Sequence, residues 1–248
     1  MTATQAPIRT WSAKEFEELV LQCKPRVAVF DCDGTIWSGD AGSGFMIWTM
    51  EQGLVSRSTA DWIDTRHRAY HAGHVTELQI CGEMVQMYSG LHEAELRSAA
   101  ARYVAEFVHP RVFPEIASLL TTLHNKGVEL WAVSSTNKWV VSEAVRSLGI
   151  PDIRVLAAEV AVKNGIIGSE IVDIPTDEAK AVALRRVGLS RPDVVFGNSI
   201  HDLAMLEIAA TPFPVNPSPA LLEAAARNGW GYFRPASVEG EATPVGGE

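Results

Sequence analysis

Apolar positions along the chain fall into two kinds of block: short continuous runs, and longer stretches in which they recur every three or four residues. The first kind reads as buried strands and the second as amphipathic helices. Ser12 followed by Glu15 has the form of a capping box, and Phe16, Leu19 and Val20 share one side of the helix it would start. RVAVFD at 26–31 is a Val-rich run that stops abruptly at Asp-Cys-Asp-Gly-Thr, as a buried parallel strand does. From 42 to 115 nothing reads as strand, and helical spacing recurs through FMIWTM, STADWIDTRHRAY, TELQICGEMVQMY and EAELRSAAARYVAEFV. VELWAVSS (128–135) is a second buried strand, followed by helical KWVVSEAVRSLG with Gly149 as its stop. Asn164-Gly165 between two short apolar stretches in 158–171 predicts a two-residue hairpin, and DVVFGN (193–198) a third buried strand. Helices are expected at 177–187, 200–209 and, after TPFPVNP, 219–228; the tail beyond about Ala236 is expected to lack order.

Strands alternating with crossover helices predict a parallel sheet, with chemistry at the carboxyl ends of its strands. The expected architecture is a doubly wound α/β core, residues 1–41 and 116–248, with a helical cap, 42–115, inserted after the first strand. Composition agrees with a globular chain: 248 residues, 47% hydrophobic and 21% charged, with a mean hydropathy of +0.05. A formal charge of −9 and a pI near 5.3 argue against a nucleic-acid partner, whose phosphates need clustered Lys and Arg. Small anionic ligands need only a local positive site. Cys23, Cys32 and Cys81 are widely spaced and odd in number, so neither a disulfide framework nor a zinc knuckle is expected, and reduced thiols in the cytoplasm are. MTATQAPIRTWSAKEFEELV lacks the apolar core of a secretory signal, and no run is long enough to span a bilayer.

Four signals stand at strand ends or just before helices: Asp31-x-Asp33-Gly34-Thr35, then Ser134, then Lys180, then Gly197-Asn198-Ser199-x-x-Asp202. In that order they resemble the haloacid dehalogenase superfamily and, within it, the phosphoserine-phosphatase-like branch. The resemblance covers residues 26 to 233, hairpin and helical insertion included, and implies a Rossmann-like sheet with a cap. The chemistry suits it. A phosphomonoester dianion hydrolyses extremely slowly in water, so a catalyst must surround its nucleophile with a cation and fixed donors before an anion can approach phosphorus.

The resemblance implies a magnesium-dependent phosphatase acting on a small phosphorylated metabolite. Asp31 would attack phosphorus and form an aspartyl-phosphate, and Asp33 would protonate the leaving alkoxide and then deprotonate water. The presence of Asp33 favours phosphate over halide, since a carbon–halogen substrate needs no acid. Gly34 and Thr35 fit a turn whose N–H groups cradle phosphate. Ser134, with Ser135 and Thr136 as neighbours able to replace it, would hydrogen-bond a phosphoryl oxygen, and Lys180 would pair with phosphate and Asp31. Magnesium would be held by Asp31, the carbonyl of Asp33 and residue 198, with Asp202 holding a metal-bound water or fixing Lys180. Here the chain departs from the commoner pattern: Asn198 stands where an acid is usual, which weakens the metal site.

The branch reads its substrate's amine with an acid nine residues after the nucleophile, here Asp40, and its carboxylate with an Arg in the insertion, where this chain has Met84. Phosphoserine is thereby disfavoured, and a phosphate ester of an amine or quaternary ammonium alcohol is expected. Trp48, Trp62, Met50, Met84, Met87 and Tyr88 either line a closing lid or pack helix on helix, the second being the commoner outcome. His67, His71 and His74 have zinc-compatible spacing, but their place near a helix end favours interaction with its dipole. His201 is expected beside the site or facing solvent, and Cys32 pointing away from it. Two rival readings are a phosphotransferase using the same intermediate, and a noncatalytic ligand-binding member of the fold, for which Asn198 is the support.

Overall fold

The computed structural model describes residues 8–239; the N-terminal residues 1–7 of the stretch read for a signal, and the tail from 240, lie outside them. A two-residue strand, β1 (Thr10–Trp11), leads into α1 (Ala13–Gln22), whose Ser12–Glu15 capping box forms as the spacing predicts. β2 (Val27–Phe30) ends at the Asp-x-Asp segment. Then come four helices in succession: α2 (Ala41–Glu51), α3 (Arg57–His71), α4 (Glu77–Gln86) and α5 (Glu93–Tyr103), the last prolonged by a π turn at Val104–Val108. No strand interrupts them. α6 (Pro114–Asn125), β3 (Glu129–Asn137) and α7 (Lys138–Arg146) restore the alternation.

β4 (Val155–Lys163) and β5 (Ile166–Asp173) form the hairpin expected at Asn164-Gly165, both of which carry the positive φ that a tight two-residue turn requires. α8 (Glu178–Arg186), β6 (Val194–Gly197), α9 (Leu203–Glu207), β7 (Thr211–Pro214), α10 (Pro219–Asn228), β8 (Tyr232–Phe233) and α11 (Ala236–Glu239) complete the chain. Three short elements escape sequence reading. β7 carries two prolines, which an edge strand tolerates because one side of its ladder is unused. β1 and β8 pair in parallel as a separate two-stranded sheet, too short to leave a periodic trace. α11 begins at Ala236, and nearly all of the tail expected to lack order lies outside the described residues.

The main sheet runs β5-β4-β3-β2-β6-β7, parallel throughout except for the β4–β5 hairpin. Strand alternation divides its apolar side chains between two faces. Ala28, Phe30 and Phe196 join Phe16 of α1 and Leu120 of α6, with Phe30 and Phe196 stacked at 4.2 Å. Val29, Val133 and Val195 face the other way, against Leu184 of α8, Met205 of α9 and Leu221 of α10. Helices on both faces make the sheet doubly wound. Its strand order reverses at β2, which lies between β3 and β6, so a crevice opens beyond the carboxyl ends of these three strands. α4 packs against β3, β4 and β5 and roofs that crevice.

Candidate active site

Each of the four sequence signals ends on this crevice. Asp31 follows β2, Ser134 lies near the end of β3, Lys180 sits in the first turn of α8, and Asn198 follows β6. Together with Asp33 they line a cavity of about 250 Å³. Asp31 is buried, and its two oxygens accept hydrogen bonds from Lys180 Nζ at 2.7 Å and Thr35 Oγ1 at 2.8 Å. Burial raises the Asp31 carboxyl to about 6, with repulsion from Asp202 adding to the effect and the Lys180 ammonium opposing it. Burial works against the charge on Lys180, but Asp202 and Asp31 outweigh it and hold the ammonium above its ordinary value.

Asp202 is wholly buried and both its oxygens are engaged: one accepts from Lys180 Nζ at 2.5 Å, the other from the N–H groups of Asn198 and Ser199 at 2.8 and 2.9 Å. That arrangement matches the reading in which Asp202 fixes Lys180. It also fixes the loop that carries Asn198.

Asp33 faces the cavity with its carboxylate held on three sides. Oδ2 accepts from Thr136 Oγ1 at 2.7 Å, and Oδ1 accepts from Trp37 Nε1 at 2.7 Å and the Ala41 N–H at 2.6 Å. Burial pushes its carboxyl up to about 7, the neighbouring Asp40 adding to the shift. A carboxyl that gains and loses a proton near neutrality is what acid–base work needs.

One expectation needs correction. The N–H groups of Gly34 and Thr35 are not a phosphate cradle: they donate to the carbonyls of Trp37 (2.8 Å) and Cys32 (3.1 Å). Thr35 instead holds Asp31, and Gly34 is needed for room. Its φ is +74°, and a Cβ there would come within 1.9 Å of Asn198 Nδ2. Asp40, expected to read the substrate, also has a structural task, since it caps α2 by accepting from the N–H and hydroxyl of Ser43 at 2.8 and 2.7 Å. It still reaches the cavity wall, as does Ser135.

Of the aromatic and Met residues in the helical segment, Met84 alone among the six singled out reaches the cavity. Trp48 packs with Phe45 and Tyr103 beneath the Arg102 guanidinium, and Met87 and Tyr88 are buried, so helix packing explains most of that set. His71 sits in the last turn of α3, as the dipole reading requires. His67 does not: it lies within hydrogen-bond distance of Ser43 Oγ, 3.1 Å, and faces the cavity. Cys32 is fully buried in the core, and burial raises its thiol far above the ordinary value, which removes it from the chemistry.

The family model for haloacid dehalogenase-like hydrolases matches residues 28–207, from the start of β2 to the end of α9. The chain belongs to that family. A probable phosphatase of Mycobacterium tuberculosis is 27% identical to it over 222 residues, covering 85% of this chain and 77% of the relative. A histidinol-phosphatase of Neisseria meningitidis is 22% identical over 213 residues, covering 82% and 96%. A substrate-bound phosphoserine phosphatase structure superposes with a TM-score of 0.57 at 16% identity, over 85% of this chain and 92% of that one, a likeness of fold. By its family this chain is a hydrolase.

In this hydrolase, sequence reasoning missed the groups that hold Asp33. Trp37, four residues on, carried no signal beyond being aromatic, and Thr136 was marked only as a substitute for Ser134. Asn137 caps α7 through Val140 N at 3.0 Å, which frees Ser134 from the capping role a strand-end Ser often has. Tyr70, Glu77 and His201 also line the cavity; His201 bonds Asp177 Oδ1 at 2.7 Å, tying the β6 loop to the start of α8. No helix among the described residues is long and apolar enough to cross a membrane.

Proposed function

We propose that this hydrolase is a magnesium-dependent phosphomonoesterase working through an aspartyl-phosphate on Asp31. The observation that carries the reading is the buried Asp31–Lys180 pair at 2.7 Å on the floor of the cavity, with Asp33 two residues away at the same wall. Lys180 offsets the charge of a carboxylate that must meet a dianion. The Asp31 carboxylate forms a bond to phosphorus as the ester P–O bond breaks, and Asp33 gives its proton to the departing alkoxide. Water then attacks the same phosphorus, Asp33 takes its proton, and the bond to Asp31 breaks to release phosphate. Ser134, buried at the cavity wall, is placed to donate to a phosphoryl oxygen.

The donor set suits magnesium. Among the described residues no group of three or more His, Cys, Asp and Glu side chains forms a metal cage. What the cavity offers is a carboxylate (Asp31), an amide oxygen (Asn198) and the Asp33 carbonyl, all oxygen, which leaves positions for water and substrate as Mg²⁺ prefers. When bound, the ion would neutralise phosphate charge. On this reading residues 42–115 act as a cap over a core of 1–41 and 116–248, in a reducing compartment where the three cysteines stay as thiols.

The test is phosphate release from an aryl phosphate, expected to stop with chelator and return with Mg²⁺. Asn198→Asp should tighten Mg²⁺ binding about tenfold by calorimetry, because a carboxylate is a stronger ligand than an amide oxygen. An unchanged affinity would remove residue 198 from the metal site, and metal-independent turnover would remove the ion.

A further inference from the structure

We infer that the substrate of this site is the phosphate ester of a short alcohol bearing a positively charged nitrogen and no carboxylate, with Glu77 as the residue that reads the charge. The inference rests on the phosphomonoesterase reading and concerns the other end of the same cavity. Beyond the phosphate end, the wall is built from the helical segment: Asp40 and Ser43 at the start of α2, His67 and Tyr70 on α3, Glu77 and Met84 on α4. The lining as a whole carries four carboxylates, Asp31, Asp33, Asp40 and Glu77, against one ammonium, and no arginine among the described residues. That ammonium, Lys180, is already paired with Asp31 and Asp202, and the one basic side chain of the far wall, His67, is shifted toward its neutral form by burial.

A substrate carboxylate placed there would face Glu77 and Asp40 across a cavity of about 250 Å³, and like charges at such range repel. A cationic nitrogen would meet the opposite. Arg111 approaches from outside, its guanidinium 3.6 Å from where a Cβ on Gly39 would stand, and it does not line the cavity.

The two acids differ in their engagements. Asp40 is spent on the α2 cap, accepting two bonds from Ser43. Glu77 is half-buried in the first turn of α4 and has only a weak thiol donor, Cys81 Sγ at 3.5 Å, and the Tyr70 phenol beside it. Its carboxylate therefore keeps the capacity to accept from an ammonium, and the Tyr70 ring adds an aromatic face of the kind that attracts alkylated nitrogen. Once phosphate is seated, a cavity of about 250 Å³ suits a chain of a few carbons.

The experiment compares kcat/KM, with Mg²⁺ present, for ethanolamine phosphate, choline phosphate and histidinol phosphate against glycerol 3-phosphate, phosphoserine and p-nitrophenyl phosphate. The expected result is a preference of at least about tenfold for the cationic esters over glycerol 3-phosphate and phosphoserine, carried mainly by KM. Glu77→Gln should cut that preference about tenfold, and Glu77→Lys should reverse it in favour of the carboxylated ester. Glu77 is partly exposed, so both variants should fold, which circular dichroism checks. Equal or better turnover of glycerol 3-phosphate or phosphoserine by the wild type, or a preference unmoved by either variant, would overturn the inference while leaving the phosphomonoesterase reading intact. Failure to hydrolyse any ester, the aryl phosphate included, would overturn that parent reading.

Discussion

Asp31→Asn is expected to reduce phosphate release by about four orders of magnitude or more while leaving the protein folded. The amide lacks the nucleophilic oxygen anion, so the covalent step has no starting point. Its shape is otherwise tolerated. The amide oxygen still accepts from Lys180 Nζ, and the amide N–H₂ still finds the Thr35 hydroxyl, so both contacts of the native side chain keep a counterpart. Losing the charge also relieves the repulsion from Asp202 that helps raise the Asp31 carboxyl. Rates on an aryl phosphate, read beside thermal unfolding, check both halves. A folded variant retaining more than about a hundredth of native activity would show that Asp31 is not the nucleophile.

Lys180→Met is expected to be costly twice over. The ammonium is buried between two carboxylates, and removing one partner of such a cluster typically costs about 3–5 kcal/mol because the remaining charges are stranded. Here two anions, Asp31 and Asp202, would be left facing each other. Equilibrium denaturation should register the loss, and activity should fall by about two to three orders of magnitude as well. Mg²⁺ should stabilise this variant more than the native protein, since the ion would be the only remaining positive charge at the site. Lys180→Arg should not rescue either property: the guanidinium is larger and forked, and does not reproduce the point-like ammonium's bonds to Asp31 and Asp202. A Lys180→Met protein as stable as the native one would mean that the ion pair does not organise the site.

These two residues were legible from the sequence because their neighbours announce them. Asp31 follows an apolar run that can only be a buried strand, and Lys180 stands between the hairpin and the last motif. The sheet was equally plain, since three of its strands are short apolar runs that end at turn residues or the site, and two more flank Asn164-Gly165. What failed to show was whatever depends on three-dimensional convergence. Trp37 and Thr136 hold Asp33 from opposite sides, 103 residues separating Thr136 from it, and no local pattern links them. Backbone direction was equally invisible: the Gly34 and Thr35 N–H groups fit a phosphate nest by composition, yet the turn spends them on Trp37 and Cys32. In the helical segment the aromatic residues drew attention, but Phe45, Trp48 and Tyr103 form an internal packing cluster. The cavity wall was left to Glu77, which reads in sequence as an ordinary acid in a helix's first turn, and to His67, hidden within a run of histidines.

The central claim is covalent chemistry at residue 31, and acid quenching during turnover of the Mg²⁺-loaded enzyme, followed by peptide mass spectrometry, addresses it directly. The peptide carrying Asp31 should gain the mass of one phosphoryl group, labile to mild base as an acyl phosphate is, and the gain should vanish in Asp31→Asn. A phosphoryl group found on another side chain, or steady phosphate release with Asp31 unmodified at every quench time, would contradict the account.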